Sequence, residues 1–213
     1  MAWFIWFRRN KKRLNESCLP PEKILDATLT LLKEFQAKPA QQSHIARLKV
    51  VRWIPPGPET YKINYDRAMF TELGEAVIGI VVRNEKGEVM ASIGKKILSP
   101  KSIEMLEALA ARRAAIFSVE LGLHQVVIKG DSEIVFKALS GWCLERSGIG
   151  HIIKDYKSIS SFLQTCSFSH TRRQGNYVAH ALAKQARMSS PLLVWMESVP
   201  LDISYLVFVD VIP

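Results

Sequence analysis

The sequence contains few of the features that mark secreted, zinc-binding or membrane proteins. Its three cysteines, Cys18, Cys143 and Cys166, are an odd number without CxxC spacing. This pattern argues against a disulfide framework and a structural zinc site, and it favours a reducing compartment such as the nucleus or cytoplasm. The apolar stretch Trp3–Phe7 is far shorter than a membrane span and precedes its charges. It is therefore neither a signal peptide nor an anchor, and we expect no membrane partner.

Acidic residues are also scarce, and the formal net charge is +9. The basic excess is uneven, because residues 1–52 contain 11 of the 29 Lys and Arg but only 4 of the 20 Asp and Glu. The rest of the chain is nearly balanced. Charge alone therefore supports nucleic-acid binding by the main domain no better than it supports a solvated basic arm.

Proline marks the start of the main domain. Pro55, Pro56 and Pro58 follow Trp53 and cannot continue a helix. We place one domain at 53–188, because 213 residues that are 48% hydrophobic suit a single medium-sized core. Before it lies a basic, partly helical extension (1–52) with an amphipathic helix at 22–36, and after it a C-terminal tail (189–213).

Apolar periodicity within the domain alternates between strand and helix spacing. Strands are predicted at 61–68, 76–83, 88–97, 124–129 and 165–172, and helices at 101–121, 131–139, 149–163 and 174–188. The first three strands have short connections, which favours an antiparallel meander. The whole order predicts an α/β fold in which a five-stranded mixed sheet, the meander extended by parallel strands, is flanked by helices.

Three acidic residues stand at unusual places in this pattern. Asp66 lies inside the first strand, where aspartate is depleted and needs a partner or a cation. Asp131 follows the fourth strand through Gly130, at the end of a strand where open sheets place ligands. Taken alone, such an aspartate more often only caps the next helix. Glu107 lies in an Ala-rich helix that we expect to be largely covered, with Glu104 as its rival for the inward face. Three carboxylates that converge would suit Mg2+.

Seven segments, taken together and in order, resemble the plant ribonuclease H-like domain found at the C-terminus of non-LTR retrotransposon reverse transcriptases. They are Trp53–Pro56, Lys62–Asp66, Val82–Gly87, Glu107–Ala114, Glu120–Leu123, Gly130–Ser132 and Arg173–Lys184. The resemblance covers residues 53–187 and implies a ribonuclease H-like fold. It also selects Glu107 over Glu104 as the helical acid.

The resemblance implies a metal-dependent endonuclease that hydrolyses the RNA strand of RNA/DNA hybrids and leaves a 3′-hydroxyl and a 5′-phosphate. Asp66, Glu107 and Asp131 match its catalytic, metal-binding acids, with Mg2+ as cofactor and Mn2+ as a substitute. His180 stands where such enzymes carry a fourth aspartate, and imidazole suits softer ions than Mg2+. His180 is thus a fourth catalytic candidate, and its alternatives are a role in product release, a phosphate contact or a plain surface position.

Nucleic acid is the expected partner. Arg67 stands where the family commonly has glycine, and it could oppose close approach of the substrate or contact phosphate. The predicted nucleic-acid-binding residues are Asn64, Arg67, Arg172, Arg173, Asn176 and Lys184.

Two further hypotheses concern origin and activity. Residues 2–11 resemble the stretch that precedes this domain in longer retroelement proteins, so we interpret 1–52 as a remnant of such a protein. The alternative to an enzyme is a catalytically inactive domain that binds nucleic acid or protein, which His180 and Arg67 favour. A related nuclease, such as an exonuclease or a transposase, fits the ordered segments poorly.

Overall fold

A computed structural model describes residues 2–13, 16–37, 53–140, 148–186 and 190–211. The chain forms two compact units, Met1–Lys49 and Val50–Pro213. In the first unit, helix α1 (Ala2–Arg13) is followed by α2 (Lys23–Ala37), which confirms the predicted amphipathic helix. Residues 38–52 of the predicted extension lie outside the described ranges. No helix in those ranges is both long and apolar enough to span a membrane.

The second unit is built on one mixed sheet. Its first five strands are β1 (Tyr61–Phe70), β2 (Glu75–Arg83), β3 (Val89–Leu98), β4 (Gln125–Gly130) and β5 (Thr165–His170). β1, β2 and β3 pair antiparallel as a meander, while β4 pairs parallel with both β1 and β5. This confirms the predicted meander and its extension by parallel strands.

The predicted number of strands is wrong by one. Leu192–Met196, which we placed in the C-terminal tail, forms β6 and pairs antiparallel with β3, so the sheet has the order β5-β4-β1-β2-β3-β6. The strand is five residues long, and its pattern of apolar residues does not alternate. Such a short apolar run shows no periodicity from which a strand could be predicted. It forms a strand because it pairs with the edge of β3.

Helices cover both faces of the sheet. They are α3 (Ile103–Glu120), α4 (Glu133–Leu139), α5 (Gly150–Ser160), α6 (Tyr177–Gln185) and α7 (Leu201–Val211). A short 3-10 turn, Arg173–Asn176, replaces the predicted start of α6, and Met188, its predicted end, lies outside the described ranges. Ser102 is the N-cap of α3, and its hydroxyl accepts a hydrogen bond from the Met105 amide.

Successive side chains of β1 point to opposite faces of the sheet, and each face has its own cluster of buried residues. Ile63 and Tyr65 are fully buried in the larger cluster, which includes the alanines of α3. The intervening Asn64 and Asp66 point to the opposite face, where they meet residues around α6. A second cluster joins α6 to α7 through Val178, Leu182 and Ile203. The strand therefore presents apolar residues to α3 and polar residues to α6.

Candidate active site

A glycine next to Asp66 determines how closely α6 approaches the sheet. Gly79 in β2 is the cross-strand partner of Asp66. A Cβ atom at Gly79 would lie 2.3 Å from the Ala179 carbonyl oxygen and 2.5 Å from the Ala183 nitrogen, closer than real Cβ atoms come. Because the glycine has no side chain, the backbone of α6 lies directly on β2. This contact brings His180 over Asp66.

His180 and Asp66 are joined by a hydrogen bond of 2.8 Å between Nδ1 and Oδ2. On the other side of the ring, Nε2 lies 3.1 Å from Nη2 of Arg173. Burial lowers the pKa of His180, and the charges of Arg173 and Lys184 lower it further. A neutral ring fits both contacts with one tautomer, in which Nδ1–H donates to Asp66 and Nε2 accepts from Arg173. We assign this tautomer from the hydrogen-bond network.

Asp66 is almost completely buried, and burial raises the pKa of its carboxyl group to about 6. Oδ1 accepts a hydrogen bond of 2.7 Å from the backbone amide of Arg67, which opposes the rise. The negative charge of Asp131 adds to it. Burial and the nearby charge of Asp131 therefore both favour the protonated form of Asp66.

Glu107 is the inward-facing carboxylate of α3, whereas Glu104 is exposed. Its Oε1 accepts a hydrogen bond of 2.7 Å from Nε of Arg67, while Oε2 is buried and has no hydrogen-bond partner among the described residues. Burial raises the pKa of Glu107 to about 7; the Arg67 charge opposes this shift, and the charges of Asp131 and Asp66 add to it. The three predicted acids therefore share one electrostatic environment.

Asp131 reaches that environment through a close contact between β4 and β1. A Cβ atom at Gly130 would lie 2.3 Å from the Tyr65 hydroxyl oxygen, so only glycine fits over this ring. The alternative that Asp131 caps α4 is wrong, because Ser132 is the N-cap and its Oγ accepts from the Val135 amide at 3.3 Å. The Asp131 carboxylate forms no hydrogen bond or ion pair with any described residue.

The two predicted asparagines are buried and hydrogen-bonded to each other. Asn64 Nδ2 donates to Asn176 Oδ1 at 3.0 Å, and Asn176 Nδ2 donates to the Tyr65 carbonyl at 2.7 Å. Asn64 Oδ1 accepts from the Trp53 indole at 3.1 Å. These bonds attach the turn before α6 to the centre of β1. The other predicted nucleic-acid contacts, Arg172, Arg173 and Lys184, are exposed, and Arg67 is partly exposed.

A profile of the family described as reverse transcriptase-like matches residues 64–186, a range that contains Asp66, Glu107, Asp131 and His180. The chain belongs to the reverse transcriptase-like family. No curated protein matches the sequence significantly.

Two solved structures resemble this reverse transcriptase-like domain. Ribonuclease H1 from the archaeon Halobacterium salinarum NRC-1 is 24% identical, with a TM-score of 0.55 over 60% of this chain and 96% of that one. LC11-RNase H1, isolated from compost and solved in complex with an RNA/DNA hybrid, is 21% identical, with a TM-score of 0.53 over 59% of this chain and 94% of that one. The domain has the ribonuclease H fold.

The ribonuclease H fold implies a divalent metal. The side chains of this reverse transcriptase-like domain are of the chemical type that such a metal binds. Three carboxylates are the oxygen ligands that Mg2+ prefers, and Oε2 of Glu107 is buried without a partner. A cation would have to compete for the other oxygen of Glu107, because Arg67 already binds Oε1. Within the described ranges, no group of three His, Cys, Asp or Glu side chains is assembled to hold an ion.

The two glycines that position the site, Gly79 and Gly130, were not among its predicted residues. Gly79 interrupts the β-branched run of its strand, and an isolated glycine within a strand is a signal of close backbone approach. The sequence signal was therefore present for Gly79. Gly130 lies at a strand end, where glycine is ordinary, and nothing local predicts the Tyr65 ring beneath it.

Proposed function

We propose that this domain is a retroelement-derived, metal-dependent endonuclease that hydrolyses the RNA strand of RNA/DNA hybrids. The observation that carries the proposal is the electrostatic coupling of Asp66, Glu107 and Asp131, two of them buried with raised pKa values, on a ribonuclease H fold. Burying several acids together is unfavourable for folding alone, so it indicates a functional site. The hybrid bound in the similar LC11-RNase H1 structure supports this substrate class.

Asp66, Glu107 and Asp131 would hold Mg2+, with Mn2+ as a substitute. Bound there, the cation would supply an activated water and neutralise charge on the phosphodiester. The protein's own part is to hold the acids together against their mutual repulsion. Burial raises the pKa values of Asp66 and Glu107 to about 6 and about 7, so their ionised forms are costly in the folded chain, and a bound cation would favour those forms.

His180 has a positioning and proton-handling role in this proposal. Its Nδ1–H fixes the orientation of the Asp66 carboxylate, and Arg173 in turn fixes the imidazole ring. As a neutral group it adds no negative charge to the cluster. Both ring nitrogens are occupied by these contacts, so His180 would act on a cation only through the orientation of Asp66.

The proposed phosphate contacts are Arg67, Arg172, Arg173 and Lys184, because all have exposed surface close to the site elements. Asn64 and Asn176, which we had expected to reach the nucleic acid, use their amides on each other and on the backbone. We assign them a positioning role instead. They connect the turn that carries Arg173 to the strand that carries Asp66.

The ion pair between Arg67 and Glu107 favours a second function, a catalytically inactive domain that binds nucleic acid or protein. The guanidinium already places a positive charge on one metal-ligand candidate. If Arg67 does not leave Glu107, the acids cannot assemble around a cation. The fold and the exposed basic residues would then serve binding only.

An assay of the purified full chain on a labelled RNA/DNA hybrid with Mg2+ or Mn2+ separates the two functions. We expect cleavage of the RNA strand by the native protein and at least 100-fold less by Asp66→Asn. Asp155→Asn, which alters an exposed carboxylate on α5, is the matched control and should cleave normally. If the native protein and Asp66→Asn are equally inert while both shift the hybrid on a gel, the binding function is correct.

A further inference from the structure

A basic cavity of about 300 Å³ opens beside the candidate active site. It lies between the start of β1, the end of β4 and the connection from β5 to α6. Its charged or ionisable lining residues are Lys62, Lys129, His170 and Arg172, and the remainder of the lining is Trp53, Ile54, Thr171 and Gly175. We call this feature the basic cavity. None of its lining residues is acidic.

Two lysines are held inside this cavity by neutral partners. Nζ of Lys62 donates to the Ile54 carbonyl and lies 4.8 Å from the centre of the Trp53 ring, and the residue is only 6% exposed. Nζ of Lys129 donates to the Ser169 hydroxyl at 3.0 Å. Neither bond supplies a negative charge. The positive charge of both ammonium groups is therefore left without a carboxylate in the cavity.

The burial of Lys62 also opposes the positive charge of its ammonium group. Burial lowers the pKa of Lys62 to about 8, and the charges of Lys129 and Arg83 lower it further, against a smaller opposing effect of Asp210. An anion beside Lys62 would relieve this effect, because a nearby negative charge favours the protonated form.

The cavity is connected to the candidate active site by direct contacts. Nε2 of His170 lies 3.1 Å from the Asp131 carbonyl oxygen, and the Gly175 carbonyl accepts from Asn64 at 3.3 Å. Lys62 and Asp66 lie on the same face of β1, four residues and roughly 13 Å apart. A nucleic-acid strand covers that distance in a few nucleotides, since it carries one phosphate per ~3.4 Å of helix axis.

We propose that the basic cavity is a phosphate-binding site that takes a backbone phosphate of the strand bound at the candidate active site. Lys62, Lys129 and Arg172 supply the charge, and the Thr171 hydroxyl supplies a neutral donor. The assignment of the ligand to that strand rests on the proposed function. The phosphate chemistry of the cavity does not, since a free phosphate or a mononucleotide would satisfy the same groups.

The experiment compares hybrid binding by the native full chain, by Lys129→Ala/Arg172→Ala and by Lys154→Ala, an exposed lysine on α5 that serves as control. Binding is measured in EDTA over a range of salt concentrations, so that cleavage plays no part. We expect the double variant to bind about 10-fold more weakly, with a log-log salt slope that is smaller by about 1. The control should match the native chain.

A second arm titrates inorganic phosphate and a mononucleotide while the backbone amide signals of Thr171 and Gly175 are followed by NMR. Shifts that disappear in the double variant, without loss of hybrid affinity, would keep the phosphate site but overturn its assignment to the strand. Native-like hybrid binding together with native-like phosphate shifts in the double variant would overturn the site itself. Circular dichroism checks folding, and Arg172→Ala alone replaces the double variant if that one unfolds.

The binding measurements are independent of the outcome of the cleavage assay. A chain that never cleaves can still lose affinity when the cavity is altered, and a chain that cleaves can prove insensitive to it. The experiments can therefore contradict the proposed phosphate site and the proposed nuclease function separately.

Discussion

Arg67 and Glu107 are joined by a charge-assisted hydrogen bond of 2.7 Å. The bond satisfies one oxygen of a buried carboxylate and so helps the metal-free fold, but it competes with any cation for the same oxygen. We expect Arg67→Ala to raise the affinity of the chain for Mn2+ or Mg2+ by about 10-fold, equivalent to ~1.4 kcal/mol. Isothermal titration calorimetry measures this directly.

The matched control for that prediction is Arg112→Ala. Arg112 lies on α3, the helix that carries Glu107, and it pairs with a carboxylate at 2.8 Å, but its partner Asp155 is exposed on α5. Metal affinity should not change in this variant. Equal affinities in the native chain and in Arg67→Ala would mean that the guanidinium does not compete with the cation.

Asp66 makes the stability of the fold depend on pH. The pKa of its carboxyl group rises from 3.8 in the unfolded chain to about 6 in the folded one. Between these values the folded state binds more protons, so the free energy of unfolding falls as the pH rises from about 4 to about 6. Above pH 6 the full penalty applies, on the order of 2–3 kcal/mol, since one pKa unit corresponds to ~1.4 kcal/mol.

Asp66→Asn should therefore stabilise the chain at pH 8 by on the order of 2 kcal/mol and leave it nearly unchanged at pH 4. Urea denaturation in EDTA at both pH values measures the difference. Asp155→Asn, at an exposed site, should show no such pH dependence. A stabilisation of the same size at both pH values would show that charge burial is not its cause.

At the scale of elements, the contact of α6 with β2 depends on one missing side chain. We expect Gly79→Ala to destabilise the fold by about 1–3 kcal/mol, because the new methyl group would meet backbone atoms of Ala179 and Ala183, which cannot rotate away. Gly57→Ala is the control, since a Cβ atom there has no neighbour within 4 Å. Urea denaturation compares the two.

The same substitution should also move His180 relative to Asp66. NMR titration of the imidazole then gives a second measure that a general loss of stability would not produce. We expect the pKa of His180 to return toward the ordinary value of 6.5, because the burial that lowers it depends on this contact. An unchanged histidine titration in a destabilised variant would show that α6 keeps its position.

Elements with strong periodicity were predictable from the sequence, and contacts between elements were not. The 18-residue helix α3 and the strands of the meander follow local patterns, as do the alternating faces of β1. β6 had no such pattern. The ion pair of Arg67 with Glu107 joins residues 40 positions apart. The direction of a flexible arginine side chain is determined by tertiary burial, which no local pattern encodes.

At the scale of the whole molecule, the C-terminal segment is attached to the sheet by a buried ion pair. Nη2 of Arg83 lies 3.1 Å from Oδ2 of Asp210 on α7, and the arginine is 1% exposed beneath the Trp53 ring. Asp210→Ala would leave this guanidinium buried without its counter-charge. We expect a loss of about 3–5 kcal/mol in the free energy of unfolding.

The double variant Arg83→Met/Asp210→Leu should recover most of that loss, because it removes both charges and puts apolar side chains in their place. Chemical denaturation of the native, single and double variants completes the comparison. The surface pair of Glu133 and Lys137 on α4 provides the control, and Glu133→Ala should cost less than about 0.5 kcal/mol. A small effect of Asp210→Ala would show that this ion pair contributes little to the stability of the fold.

The hydrogen bond between His180 and Asp66 also constrains how the protein is made. It spans 114 positions of the chain, so a growing polypeptide completes the first strand long before the histidine is synthesised. Until then the acids of the site have neither the α6 layer above them nor the partner that orients Asp66. Because a domain folds as a unit, the site cannot be completed until His180 has left the ribosome. A chain whose synthesis stops early would carry the acids without ever assembling the site.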